Sequence, residues 1–267
     1  MNKNETGSSR RTVLKSGVAW LGAGLLTPAS THPVKHDFSA TEATPASVYN
    51  VRDFGATGNR DGNATQPFRR TIETCTSNGG GVVYVPAGDY TVGTVQLRNH
   101  VTLHLEAGAT LFLSQNREDF VRGGRALIFA DSATNIAVTG RGTLDGLARY
   151  DYAEMQGVDA RIAKEIELAR ESGVDMRRYY RNREAMNTNM FIINDSTDVL
   201  LEGVSIVNSP LWTVRLNDCD RVFVRGVHLY SNLEKGVNAD GIDICSCSNV
   251  TISNSVIETA DDSIVIK

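Results

Sequence analysis

The sequence predicts an all-β chain wound as a parallel β-solenoid, and three observations carry that expectation. From Val48 onward, short apolar or alternating strands such as Gly81-Val82-Val83-Tyr84-Val85 and Val101-Thr102-Leu103-His104-Leu105 are separated by Gly, Asn, Asp and Ser. In the C-terminal half these strands repeat in register: Val199, Val222 and Val250 begin one series, and Val214, Ile242 and Ile264 another. The steps, 23 and 28 residues in the first series and 28 and 22 in the second, drift in the twenties. Stacked coils that absorb length changes in their loops behave this way. Third, 24 Gly stand against 6 Pro, which suits a structure of many tight turns. A leucine-rich repeat would need its Leu-x-x-Leu-x-Leu signature, and an immunoglobulin-like sandwich would not repeat in register.

Composition bounds the function. Of the 267 residues 41% are hydrophobic and 22% charged, enough apolar material for a core, and the net charge is −4. No excess of clustered Lys and Arg points to a nucleic-acid partner. Four Cys are too few for a disulfide scaffold. No apolar run reaches the ~18 residues of a membrane span.

In chain order, Arg10-Arg11 precede a small and apolar run, Gly17 to Leu26, and then small residues around Pro28-Ala29-Ser30. This is the layout of an export signal, and the twin Arg resembles the bacterial twin-arginine type. Residues 1–32 are therefore set apart as an export signal and 33–47 as a flexible lead-in, placing the protein outside the cytoplasm, periplasmic or secreted. The solenoid is expected over 48–267. Helical signal is confined to Gln66–Cys75 and to an insertion over 147–186, where Ala160–Glu171 has Ile162, Ile166 and Ala169 at helical spacing. Arg177, Arg178, Arg181 and Arg183 follow, with Tyr179 and Tyr180 among them. Such a group could grip sugar carboxylates; a solvated helix-and-loop face is the plainer reading.

Ala133, Ser196, Cys219 and Cys247 each lie three residues before an aligned strand, as small residues at one inward turn. Cys219 and Cys247 then stack ~4.8 Å apart, a span a disulfide could bridge, though a buried ladder of free thiols is the simpler expectation. Cys245-x-Cys247 lacks a second pair or nearby His, so no metal site is read there.

The register also places the acids. Asp240 and Asp262 each lie two residues before an aligned Ile, one coil apart, so their carboxylates should stack ~5 Å from each other. Trp212 holds the same position one coil earlier, and Asp261 adjoins Asp262. Like charges stacked on a sheet are destabilising and push at least one pKa up. Acid–base work on a glycosidic bond would explain them, with the indole as a face for a sugar ring. Turn-forming Asp and calcium ligation are the competing readings. Asp243 belongs to another row, expected to face outward with Arg215 and Val265, where a cross-coil pair with Arg215 is expected, and is only a secondary site candidate. His228, aligned with Ser205 and Val256, is expected to be solvated.

Asn238-Ala239-Asp240-Gly241-Ile242-Asp243, followed by Asp261-Asp262-Ser263-Ile264-Val265-Ile266-Lys267, resembles the polygalacturonase family, glycoside hydrolase family 28. Asn208-Ser209-Pro210-Leu211-Trp212-Thr213 is similar to another of its segments, and Asp53–Gly58 with Gly79–Gly88 to the N-terminal coil of pectin-degrading β-helices. The resemblance implies a right-handed parallel β-helix of the pectinase type and an inverting hydrolase of galacturonan or rhamnogalacturonan, with no cofactor. By position it makes Asp261 the general acid and Asp240 with Asp262 the holders of the attacking water. Asn238, Asp243, Trp212, Lys267 and the arginines Arg177, Arg178 and Arg181 are the candidate substrate contacts. The family's His in a Gly-rich turn and its Arg-x-Lys motif would follow the Asp pair, but the chain stops at Lys267; a C-terminally truncated, N-terminal portion of a longer enzyme is expected. A polysaccharide lyase on the same fold and a non-catalytic carbohydrate-binding solenoid are the alternatives.

Overall fold

In a computed structural model, residues 47–121, 126–148, 188–233, 236 and 238–267 are described, with short stretches of the insertion at 152–154, 167–168, 170–173 and 180–182. Over Pro45–Lys267 three parallel sheets of seven, six and six strands wrap one core. Each coil contributes one strand to each sheet in turn, as in Thr197–Glu202, Ser205–Val207 and Val214–Asn217. The expected solenoid is a parallel β-helix.

Alternation makes the coil. In Val101–Leu105 the residues Val101, Leu103 and Leu105 are buried while Thr102 and His104 face outward. Parallel register then stacks like on like. Leu103, Val138, Leu201, Val224 and Ile252 form one aliphatic ladder. Ile128, Phe191, Val214, Ile242 and Ile264 form a second, and Leu111, Leu144, Ile206, Leu229 and Ile257 a third. The register read from the sequence for Val199–Val222–Val250 and Val214–Ile242–Ile264 is the one observed.

The turns repeat as strictly as the strands. Ser132, Asp195, Asp218 and Ser246 all hold φ of 45–54° where the third sheet gives way to the first. Short polar side chains tolerate that left-handed conformation. Each donates its amide to the next coil, as Asp195 N–H does to Asn217 O at 2.9 Å. The residues that follow them, Ala133, Ser196, Cys219 and Cys247, form the expected small-residue ladder, seen in the bonds from Thr197 N–H to Ala133 O, Asp220 N–H to Ser196 O and Ser248 N–H to Cys219 O. The thiols are free, and Cys219 N–H points at Cys247 Sγ from 3.4 Å.

The N-terminal end is closed by the helix Thr65–Ser77, which exceeds the expected Gln66–Cys75 by a residue or two. Phe68, Thr71, Ile72 and Cys75, at helical spacing, are buried against the first coils, and Phe68 meets Tyr90 edge-on at 5.7 Å. At the other end Ile264 and Ile266 are exposed.

In the insertion, residues 167, 168, 170 and 171 are helical as expected, but Tyr152–Glu154 and Tyr180–Asn182 pair as an antiparallel ribbon that the sequence did not suggest. Arg181 lies on that ribbon opposite Ala153; its side chain, and Arg177, Arg178 and Arg183 altogether, lie outside the described residues.

Candidate active site

The candidate site is built by the turns that enter the third sheet. The main-chain ladder runs from Thr213 N–H to Asp240 O at 2.8 Å and from Gly241 N–H to Asp262 O at 2.8 Å. These bonds make Trp212, Asp240 and Asp262 equivalent positions on successive coils, as the repeat implied. Gly241 permits the approach: a Cβ there would meet Ser263 O at 2.2 Å and Ile257 Cγ2 at 2.8 Å.

Two backbone amides hold the Asp261 carboxylate. Asn238 N–H donates to Oδ2 and Asp262 N–H to Oδ1, both at 3.1 Å. Asn238 does this from the left-handed region, at φ 57°, where Asn is among the better-tolerated side chains. One oxygen each from Asp240, Asp261 and Asp262 then lie within 4.8 Å of one another.

The three carboxyls differ in environment. Asp261 and Asp262 are exposed, whereas Asp240 is 6% exposed and its Oδ1 has no partner among the described residues. Burial first, then the charges of Asp243 and Asp261, push Asp240 up to about 6; Lys267 offsets a part. A lone carboxylate in an apolar, water-poor setting favours its neutral form, and nearby like charges add to that.

Asp243 departs from expectation. It is in register with Arg215, yet it pairs with Lys267, whose Nζ donates to its Oδ1. Lys267 follows Ile266, the partner of Ile244, so it lies diagonally one coil on and its long stem reaches across. Contrary to its expected outward position, Asp243 is fully buried, and its Oδ2 has no partner among the described residues. The bond to Asp243 raises the Lys267 pKa above its ordinary value. Arg215 instead gives its Nε–H to Asn217 Oδ1 at 2.9 Å and lies over the Trp212 ring, 5.0 Å from its centre. Lys267 Nζ lies 4.1 Å from the same centre. The indole expected to be open to a sugar is therefore engaged by two cations. His228 is exposed, 3.7 Å from Glu258.

The structure thus gathers Asp240, Asp261, Asp262, Asn238, Asp243, Trp212 and Lys267 on neighbouring coils at one patch. Arg215 joins them, and sequence reasoning missed it by assigning it to Asp243; its register with Asp243 was the available signal. The cluster brings three carboxyl oxygens close enough to share a water, an arrangement acid–base glycoside hydrolysis can use. The same three oxygens could ligate a hard cation, but Ca2+ takes 6–8 oxygens and three supply at most half.

The model of the Glycosyl hydrolases family 28 matches residues 75–267. An endo-polygalacturonase of Pectobacterium carotovorum subsp. carotovorum is 30% identical over 221 residues, covering 76% of this chain and 51% of that protein. A probable polygalacturonase of Vitis vinifera is 27% identical over 237 residues, covering 80% and 43%. Among solved structures, a hyperthermoactive exopolygalacturonase from Thermotoga maritima superposes with a TM-score of 0.66 at 27% identity, covering 84% of this chain and 55% of that one. The chain spans about half the length of the curated relatives it matches.

Proposed function

The chain belongs to glycosyl hydrolase family 28, and from that premise we propose that it hydrolyses glycosidic bonds in an acidic, pectin-type polysaccharide. The observation that carries this reading is the Asp240–Asp261–Asp262 cluster, with its oxygens within 4.8 Å and one member buried. Asp261 is assigned to protonate the leaving oxygen by its place in the family's Asp pair, the amides of Asn238 and Asp262 fixing where its carboxyl points. Asp240 and Asp262, side by side on successive coils, hold and deprotonate the attacking water. Water attack opposite the leaving group inverts the anomeric carbon. Inverting enzymes keep their carboxyls ~6.5–9.5 Å apart and retaining ones ~5–5.5 Å. The oxygen spacing here is nearer the second range, so the stereochemistry is part of the test.

Reducing-end release from polygalacturonate is expected from the chain and is lost in Asp261→Asn. The first product, followed by proton NMR, carries the anomer opposite to the linkage cleaved. A product of retained configuration would overturn the water-attack assignment. An unsaturated, ultraviolet-absorbing product would replace hydrolysis by elimination, and binding without turnover would leave a carbohydrate-binding solenoid.

We also propose that residues 1–32 direct export by the twin-arginine route to the periplasm or beyond, supported by Arg10-Arg11 and the Gly17–Leu26 run. No helix among the described residues is long and apolar enough to cross a membrane. Expressed in a bacterium with that route, the protein is expected outside the cytoplasm, and the Arg10→Lys, Arg11→Lys double variant inside it. Equal export of the two would sink the assignment.

A further inference from the structure

We propose that Arg215 is a substrate-contacting specificity residue of this site, its guanidinium fork taking the carboxylate of an acidic sugar beside the Asp240–Asp261–Asp262 cluster. The inference rests on the polysaccharide reading above and adds a residue to it.

Three features single out Arg215. Its side chain is ordered in advance: Nε–H is bonded to Asn217 Oδ1 at 2.9 Å, and Asn217 Nδ2 is in turn bonded to Asn194 Oδ1 at 2.7 Å. The guanidinium also lies over Trp212, 5.0 Å from the ring centre. An ordered fork loses less freedom when it binds. Next, among the described residues neither Nη has a hydrogen-bond partner and no carboxylate pairs with the group. The planar pair of Nη donors matches a carboxylate. Last, Arg215 is in register with Asp243, one coil away in the row beside Asp240.

The charges of the site give the group a task. Asp240, Asp261 and Asp262 cluster within 4.8 Å, and Lys267 is already committed to Asp243. An anionic chain approaching the cluster meets the exposed Asp261 and Asp262. Among the described residues, Arg215 is the cation beside Trp212 that no carboxylate already engages. A neutral sugar would need no such residue, so the acid form of the polymer is selected over its ester.

The test measures binding, so it does not depend on turnover. The full chain carrying Asp261→Asn is titrated calorimetrically with trigalacturonate and with its methyl ester, alone and with Arg215→Gln or Arg215→Lys added. Arg215→Gln is expected to weaken the acid trimer at least ~10-fold and leave the ester unchanged. Arg215→Lys is expected to recover part of the loss, since it restores the charge without the fork. Equal loss on acid and ester, or unchanged binding of both, overturns the inference while leaving the polysaccharide reading in place. If the Asp261→Asn protein itself fails to bind the acid trimer, the substrate class falls and Arg215's role with it.

Discussion

Asp240 has two consequences at the residue scale, both set by its burial. Its pKa in the fold is about 6, against an ordinary 3.8. A carboxyl raised on folding binds protons more tightly in the native state, so it destabilises the fold where it must ionise. The penalty is absent below the unfolded value, grows as pH rises to about 6, and is complete above it. Asp240→Asn should therefore stabilise the protein by about 2–3 kcal/mol at pH 8 and change little at pH 3.5, as urea unfolding at the two pH values would show. No gain at pH 8 would mean that Asp240 is better solvated than its 6% exposure implies. As a water-activating base Asp240 must be ionised, so the rate should rise with pH through about 6. Asp243→Asn removes a neighbouring negative charge and frees Lys267, and should move that limb to lower pH. The stacking of Asp240 on Asp262 was legible in the sequence because period and register fix equivalent positions. The partner of Asp243 was not, because a long side chain can reach a diagonal neighbour that register does not name.

The turn Asn238–Gly241 is the element on which the site depends. It must deliver the Asp240 carboxyl inward while its backbone passes close to Ser263, and only a residue without Cβ fits there. Gly241→Ala would bring a methyl to 2.2 Å from Ser263 O, and a contact that short forces the two coils apart. The expected loss is about 1–3 kcal/mol, with a fall in kcat as Asp240 separates from Asp262. Unfolding midpoints and steady-state rates measure the two effects, and a variant with native stability and rate would contradict the tight turn. The helix Thr65–Ser77 was readable because Phe68, Thr71, Ile72 and Cys75 repeat at helical spacing. The ribbon of Tyr152–Glu154 with Tyr180–Asn182 was not, because its two strands meet only when the insertion between them closes, and neither carries a local turn signal.

For the whole molecule, each coil buries its aliphatic row only against its neighbours, so the fold is a one-dimensional stack. The helix covers the first coils, while Val256, Ile264 and Ile266 of the last described coil are 55%, 47% and 83% exposed. The carboxyl cluster lies on the last described coils, those that hold Asp240 and Asp262. Site and stack are thus one construction: the ladder that repeats Val214, Ile242 and Ile264 inside also repeats Trp212, Asp240 and Asp262 at the rim.

The sequence by itself determined the coil, its register, the small-residue turns and the meeting of three Asp, because all of these follow from periodicity along the chain. Only the tertiary structure decided what lies across the rows. It buried Asp240 and left Asp262 exposed, though the two hold equivalent positions. It joined Asp243 to Lys267 rather than Arg215, and laid both cations against Trp212. Burial and diagonal contacts depend on what the neighbouring coils place around a side chain, and a repeat in one dimension carries no record of that.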